Sequence, residues 1–239
     1  MLFPMPGIVC NSRNTLHDLE TFLSSVTVDR PSLEVITLGG DLRPLKDDLS
    51  KQVNSICRNP YILYVSTIEV RKNHKILYRA YKELINAGRR DLPRLVFAGR
   101  QGWKVDSLLA EIRLDRAVSG LIITLENVND SELSHLYRHA LFTVYPSLYE
   151  GWGLPVAESL AHGKFCIASS TSSLPEVGGE FVEYLDPCDL PSWVERLAYY
   201  FDNPEAIRDR EVKIRSGYRP RTWSETTRKI VACALMLEG

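Results

Sequence analysis

Apolar positions along the chain alternate between two rhythms, short β-branched runs and longer stretches with helical spacing. The clearest runs are Tyr61 to Ser66 (YILYVS), Arg94 to Ala98 (RLVFA), Leu121 to Leu125 (LIITL), Leu141 to Tyr145 (LFTVY) and Lys164 to Ala168 (KFCIA). Between them, helical periodicity predicts helices over Lys75–Ala87, Ser107–Leu114, Ser131–His139 and Pro155–His162. Several of the runs are apolar throughout, as expected of strands buried on both faces of a parallel sheet. Gly88 and Gly163 stand where left-handed C-terminal caps belong, and Pro155 suits a helix start. The chain ends in further helices, Pro191–Phe201, Pro204–Arg215 and one opening on the capping box Thr222-Trp223-Ser224-Glu225.

The first fifty residues read differently. They hold a strand at Gly7–Cys10, a helix at Thr15–Ser24, a strand at Leu33–Thr37 and a Gly-Gly-Asp turn, followed by a polar stretch from Lys46 to Asn59. That is too little for an independent domain. The pattern therefore predicts an α/β fold, a Rossmann-like parallel sheet with helices on both faces. Residues 46–239 form its body, and residues 1–45 are a remnant of an N-terminal domain with its linker.

Composition narrows the classes without choosing among them. A chain of 239 residues with 44% hydrophobic and 25% charged positions can bury a full core. With 29 basic and 30 acidic residues the net charge is −1, so no overall basic field points to nucleic acid. The five cysteines are scattered without a C-x-x-C pair, which argues against a disulfide framework and for a reducing, cytoplasmic setting. No apolar run approaches the roughly 20 residues that span a bilayer. The opening MLFPMPGIVC is too short and uncharged for a signal peptide. Peripheral attachment at the cytoplasmic membrane face stays open.

Candidate chemistry clusters where strands give way to helices, the carboxyl edge at which open α/β sheets bind ligands. Arg71-Lys72-Asn73-His74 follows the first strong strand, and two cations there suit a diphosphate or form an ordinary solvated cluster. Basic residues opening a helix oppose its dipole, and a bound anion would account for them. Gly99 and Gly102 break the turn after the second strand and permit close backbone approach, to a ligand or merely in a tight turn. In YEGWGLPVAESL, Glu150, Gly151, Trp152, Gly153 and Leu154 run into a helix whose first turn is expected to hold Glu158. The two acids can serve different parts of one polyhydroxylated ligand. Alternatively Glu158 complements the helix dipole and Glu150 is simply exposed.

The hydroxyl-rich SSTSSLPEVGG after the next strand either lines the same edge or is a solvated connection. Several chemistries are absent from the pattern: no P-loop, no G-x-G-x-x-G opening a helix, no G-x-S-x-G and no D-x-D. The five histidines show no H-E-x-x-H or comparable metal spacing, so a metal-bound diphosphate is not expected.

Taken together, YVSTIEVRKN, ELSHLYRHALFTVYPSLYEGWGLPVAESLAHG and SSLPEVGG resemble the C-terminal half of retaining glycosyltransferases of family 4, the large GT-B group. The resemblance runs from about Ile8 to the last helix, and Glu150 with Glu158 reproduces the family's E-x7-E signature. It implies a metal-independent transferase with a GDP- or UDP-linked nucleotide-sugar donor, GDP-mannose first. It also implies a role in polysaccharide or lipopolysaccharide synthesis, and a glycan or lipid-linked glycan acceptor held by an N-terminal domain outside this chain. By the same resemblance Lys72, with Arg71 beside it, neutralises the diphosphate, Glu150 contacts the sugar and Glu158 the ribose. Gly151, Trp152, Gly153 and Leu154 approach the sugar and phosphate, and Gly99 and the segment around Val128 lie near the nucleoside. Two departures stand out: Ser66-Thr67 replaces an arginine common in the family, and Trp152 replaces a commoner phenylalanine. The rival readings are a non-catalytic nucleotide-sugar-binding module of a larger assembly and, with less support, a sugar-nucleotide epimerase.

Overall fold

The computed structural model describes residues 7–26, 31–41 and 49–237. Its body is a six-stranded sheet built from β3 (Tyr61–Val65), β4 (Arg94–Ala98), β5 (Ile122–Leu125), β6 (Thr143–Tyr145), β7 (Cys166–Ser169) and β8 (Glu183–Leu185). Every pairing is parallel and the order is β5-β4-β3-β6-β7-β8. Counted from β3 this is the 3-2-1-4-5-6 order of a doubly wound sheet. The chain reverses its winding between β3 and β6, and a crevice opens outside their carboxyl ends.

Both faces are covered, which is why the strands lack alternation. Ile62 and Tyr64 of β3, with Leu95 and Phe97 of β4, enter the larger core with α3 (His74–Asn86), α6 (Leu154–Ala161) and α8 (Leu190–Asp202). Tyr61 and Leu63, with Val96 and Ala98, enter the opposite core against α2 (Lys51–Cys57) and α5 (Asp130–His139). Burying each such aliphatic or aromatic side chain contributes about 1.5–3 kcal/mol. The remaining helices are α1 (Arg13–Ser24), α4 (Asp106–Leu114), α7 (Leu174–Gly178), α9 (Pro204–Gly217) and α10 (Trp223–Leu237).

The N-terminal residues form a separate parallel pair, β1 (Gly7–Cys10) and β2 (Ser32–Val35), with α1 between them in sequence. They are tied to the chain's far end. Gly40 N–H donates to the Arg221 carbonyl at 3.0 Å, Trp223 N–H to Asp41 Oδ1 at 2.6 Å, and Thr226 Oγ1 to the Thr37 carbonyl at 3.0 Å. The capping box at the head of α10 is present, with Thr222 N–H bonded to Glu225 Oε2 at 2.7 Å and Glu225 N–H to Thr222 Oγ1 at 3.2 Å. The expected boundary at residues 45 and 46 lies outside the described residues.

Several expectations need correction. The stretch read as merely polar contains α2, whose N-cap Ser50 accepts from Val53 N–H. Short elements were hidden too: β8, α7 inside the hydroxyl-rich segment, and a 3-10 turn at Val70–Lys72. Each is too short for its period to show. The histidines do include a metal-compatible spacing, since His135 and His139 sit four apart on α5 with Cys57 beside them. All five cysteines are free. Among the described residues no helix is long and apolar enough to cross a membrane.

Candidate active site

The crevice at the reversal point is a cleft of about 770 Å³ lined by Arg71, Lys72, Glu150, Gly151, Trp152, Gly153, Leu154 and Glu158, with Ser66, Thr67 and Tyr145. A second cavity of about 420 Å³ shares Val65, Ser66, Thr67 and Leu133 with it and adds Gly99 and Val128. Arg71, Lys72, Gly99, Val128, Glu150, Gly151, Trp152, Gly153, Leu154 and Glu158 thus all line one or other of two adjoining cavities, of a size that suits an extended small-molecule ligand. Gly102 and the hydroxyl-rich segment line neither.

Glu150 is the hub. Its side chain is 7% exposed and lies between two cations, Lys72 Nζ at 2.6 Å and Arg71 Nη1 at 2.9 Å. Burial pushes the Glu150 carboxyl up, but the Lys72 charge and hydrogen bonds from Lys72, Ser147 and Arg71 outweigh it and hold the pKa below its ordinary value. Arg71 also reaches Glu69 Oε1 at 2.8 Å and the Tyr149 carbonyl at 2.6 Å. Lys72 donates to the Tyr145 hydroxyl at 3.0 Å. An ammonium has three donors, so Glu150 and Tyr145 leave one for a ligand.

The backbone that presents these groups is held from several sides. Val70–Lys72 forms its 3-10 turn, Asn73 takes a left-handed conformation (φ 57°), and α3 begins only at His74. Asn73 Nδ2 donates to the carbonyls of Pro146 (3.1 Å) and Pro187 (2.8 Å), locking that turn to the loop carrying Glu150. Ser172 Oγ accepts from Glu150 N–H at 2.8 Å, and the single Ser173 hydroxyl hydrogen is shared between the carbonyls of Glu150 (2.9 Å) and Trp152 (2.7 Å). The hydroxyl-rich segment therefore braces the acidic loop. Gly153, at φ 117°, turns the chain into α6, and only glycine takes that conformation without strain.

Two expectations about charge fail here for identifiable reasons. Arg71 and Lys72 do not open a helix. They precede it, and Glu150 and Glu69 supply their counter-charges. Glu158 is not in the first turn of α6 but is its fifth residue, beyond the turn where an acid complements the dipole. Glu158 Oε2 instead accepts from the Tyr137 hydroxyl at 2.9 Å. Burial raises the Glu158 pKa, with the Tyr137 hydrogen bond opposing and the Asp130 charge adding to the rise. Glu150 is buried, so the reading of a merely exposed acid is excluded.

Comparison with known proteins fits this geometry. The family model for glycosyl transferases group 1 matches residues 46–216. The chain belongs to that family. It is 39% identical over 130 residues to the O-antigen chain mannosyltransferase B of Escherichia coli, covering 54% of this chain and 34% of that protein. It is 27% identical over 211 residues to the serotype-specific mannosyltransferase WbdA of Escherichia coli, covering 82% of this chain and 26% of that protein. The chain thus spans about a third or less of the length of these relatives. Among solved structures, TarM gives a TM-score of 0.71 at 12% identity over 97% of this chain and 43% of its own. Sucrose-phosphate synthase from Thermosynechococcus elongatus gives 0.71 at 17%, over 97% of this chain and 58% of its own. At those identities the likeness shows the GT-B fold alone.

In this member of the group 1 family, sequence reasoning missed the supporting residues. Tyr145 and Tyr137 end as partners of Lys72 and Glu158, yet each reads as an apolar position in a strand or helix. Glu176 was one residue of the hydroxyl-rich motif. Its carboxylate accepts from Arg13 N–H and Asn14 N–H, both at 2.8 Å, at the N-terminus of α1. Asn11 reaches the cleft from the same N-terminal segment. Gly99 has a structural reason beyond any ligand, because a Cβ there would stand 1.9 Å from the Ser66 carbonyl oxygen.

Proposed function

We propose that the chain is the donor-binding half of a retaining hexosyltransferase that takes a nucleotide-sugar donor, GDP-mannose first, in polysaccharide or lipopolysaccharide synthesis. The observation that carries this reading is the convergence of Lys72, Glu150 and Glu158 on one cleft at the sheet's reversal point. The mannosyltransferase relatives support the choice of sugar. The donor diphosphate lies at Lys72 and Arg71 beside the N-terminus of α6, where unpaired amides and the helix dipole favour an anion. As the bond from the sugar carbon to the phosphate oxygen breaks, the negative charge gathering on the leaving nucleoside diphosphate meets preplaced cations. The acceptor hydroxyl oxygen forms the new bond to that carbon and passes its proton to the departing phosphate oxygen. Glu150 and the Trp152–Leu154 backbone hold the hexose, Glu158 the ribose, and the cavity at Val128 and Gly99 the base. The site is read as metal-independent, since Glu69 and Glu150 are already ion-paired with Arg71 and Lys72 rather than free to hold a metal.

The acceptor is a glycan or lipid-linked glycan bound by a partner domain in a cytoplasmic, membrane-proximal setting. Titration calorimetry with GDP, GDP-mannose and UDP tests the donor site. GDP binds more tightly than UDP, and Lys72→Ala or Glu158→Gln each weakens it by about 10–100-fold, the value of a charged hydrogen bond. Binding of neither nucleotide overturns the proposal. Undiminished transfer by the full-length protein carrying both substitutions favours the non-catalytic module instead.

A further inference from the structure

On the face of the sheet carrying α2 and α5, a cluster of metal-compatible side chains lies apart from the donor cleft. The two helices share an anchor at their N-termini. Glu132, in the first turn of α5, accepts from Asn129 N–H at 3.2 Å and from the N–H of Ser50, the N-cap of α2, at 3.0 Å. Cys57 is the last residue of α2 and His139 the last of the longer α5. From N-caps held level, the shorter helix brings Cys57 beside Leu136, between His135 and His139 on α5. There His135 and His139 share one helix face, their ring centroids 4.0 Å apart. The ligand atoms of Cys57, His135 and His139 all lie within 4.8 Å of one another.

The hydrogen bonds around the cluster suit a cation. His139 Nδ1 is 2.9 Å from the His135 carbonyl oxygen, an arrangement in which Nδ1 carries the proton and Nε2 keeps its lone pair for a metal. The Tyr61 hydroxyl donates to the Leu136 carbonyl at 2.7 Å and lies 3.6 Å from Cys57 Sγ. Its hydrogen is thus committed elsewhere, so the Cys57 thiol is the donor in that contact.

We propose that Cys57, His135 and His139 bind a zinc-class ion through one thiolate and two imidazoles, with water in the fourth position. One sulfur with two imidazole nitrogens selects zinc over magnesium or calcium. Binding releases the Cys57 proton to solvent. Bond lengths of about 2.0–2.3 Å put tetrahedral donors roughly 3.3–3.6 Å apart, so the side chains close by about 1 Å. The ion clips α2 to α5 just before the chain enters β3, at the opposite end of α5 from Val128 and Asn129. Its role is structural, independent of the donor site.

The test uses the full chain, freed of metal by a chelator and titrated with Co²⁺ alone, then with Zn²⁺. One Co²⁺ binds per chain with tetrahedral visible bands and a near-ultraviolet thiolate-to-cobalt band, and Zn²⁺ displaces it and raises Tm. Cys57→Ser abolishes the thiolate band and the Tm response, and His139→Ala raises the metal Kd roughly 100-fold or more. Far-ultraviolet circular dichroism of the metal-free variants checks their folding, with Cys57→Ala and His135→Gln replacing any that fails. Absence of the thiolate band at saturation overturns the proposal. So does its survival in Cys57→Ser, which assigns it to Cys10, Cys166, Cys188 or Cys233.

Discussion

Replacing Glu150 by glutamine keeps the shape of the hub and deletes its charge, so it isolates what the carboxylate does for the free protein. Lys72, with a side chain 12% exposed, then loses its only close counter-ion among the described residues, while Tyr145 and the glutamine oxygen remain as acceptors. Breaking a buried pair by removing one partner costs about 3–5 kcal/mol. Arg71 is 41% exposed and keeps Glu69, so its share is screened to at most about 1 kcal/mol. With the remaining hydrogen bonds at Lys72, the expected loss is about 2–3 kcal/mol. For a urea m-value of about 3 kcal/mol/M the unfolding midpoint falls by roughly 0.7–1 M.

The pH dependence has a definite sign. The folded-state pKa of Glu150 is depressed below its ordinary 4.5, so its stabilisation is fully present above the unfolded value. That stabilisation is lost as the pH falls through the folded value. Urea unfolding of wild type and Glu150→Gln, monitored by tryptophan fluorescence from neutral to acid pH, therefore shows a gap that closes on acidification. An unchanged midpoint at neutral pH, or a gap that widens toward acid, refutes the reasoning.

Two further outcomes follow from the backbone. Gly99→Ala drives a Cβ into the Ser66 carbonyl, 1.9 Å from its oxygen, and costs about 3 kcal/mol or more. For a chain of this size Tm falls by roughly 6–12 °C, and a calorimetric Tm within about 2 °C of wild type contradicts it. Glu176→Ala uncaps the Arg13 and Asn14 amides at about 0.5–2 kcal/mol, so their hydrogen exchange by NMR accelerates roughly 2–30-fold. Unchanged exchange there would mean that the carboxylate contributes nothing to α1.

The run of apolar strands and amphipathic helices from Tyr61 to Arg215 determines a parallel sheet with helices on both faces, because two-sided burial leaves a local imprint in every element long enough to show a period, which β8 and α7 are not. YEGWGLPVAESL likewise announces a site, since its glycines and acids follow a strand directly and so reach the carboxyl edge. What periodicity does not carry is partnership between distant positions. Lys72 meets Glu150, Tyr137 meets Glu158, Glu176 meets the start of α1, and Cys57 meets His135 only because the strand order and helix lengths bring them together. Local burial is written in residue type and spacing, whereas a hydrogen bond or ion pair between remote residues depends on the whole topology, and that the tertiary structure alone decided.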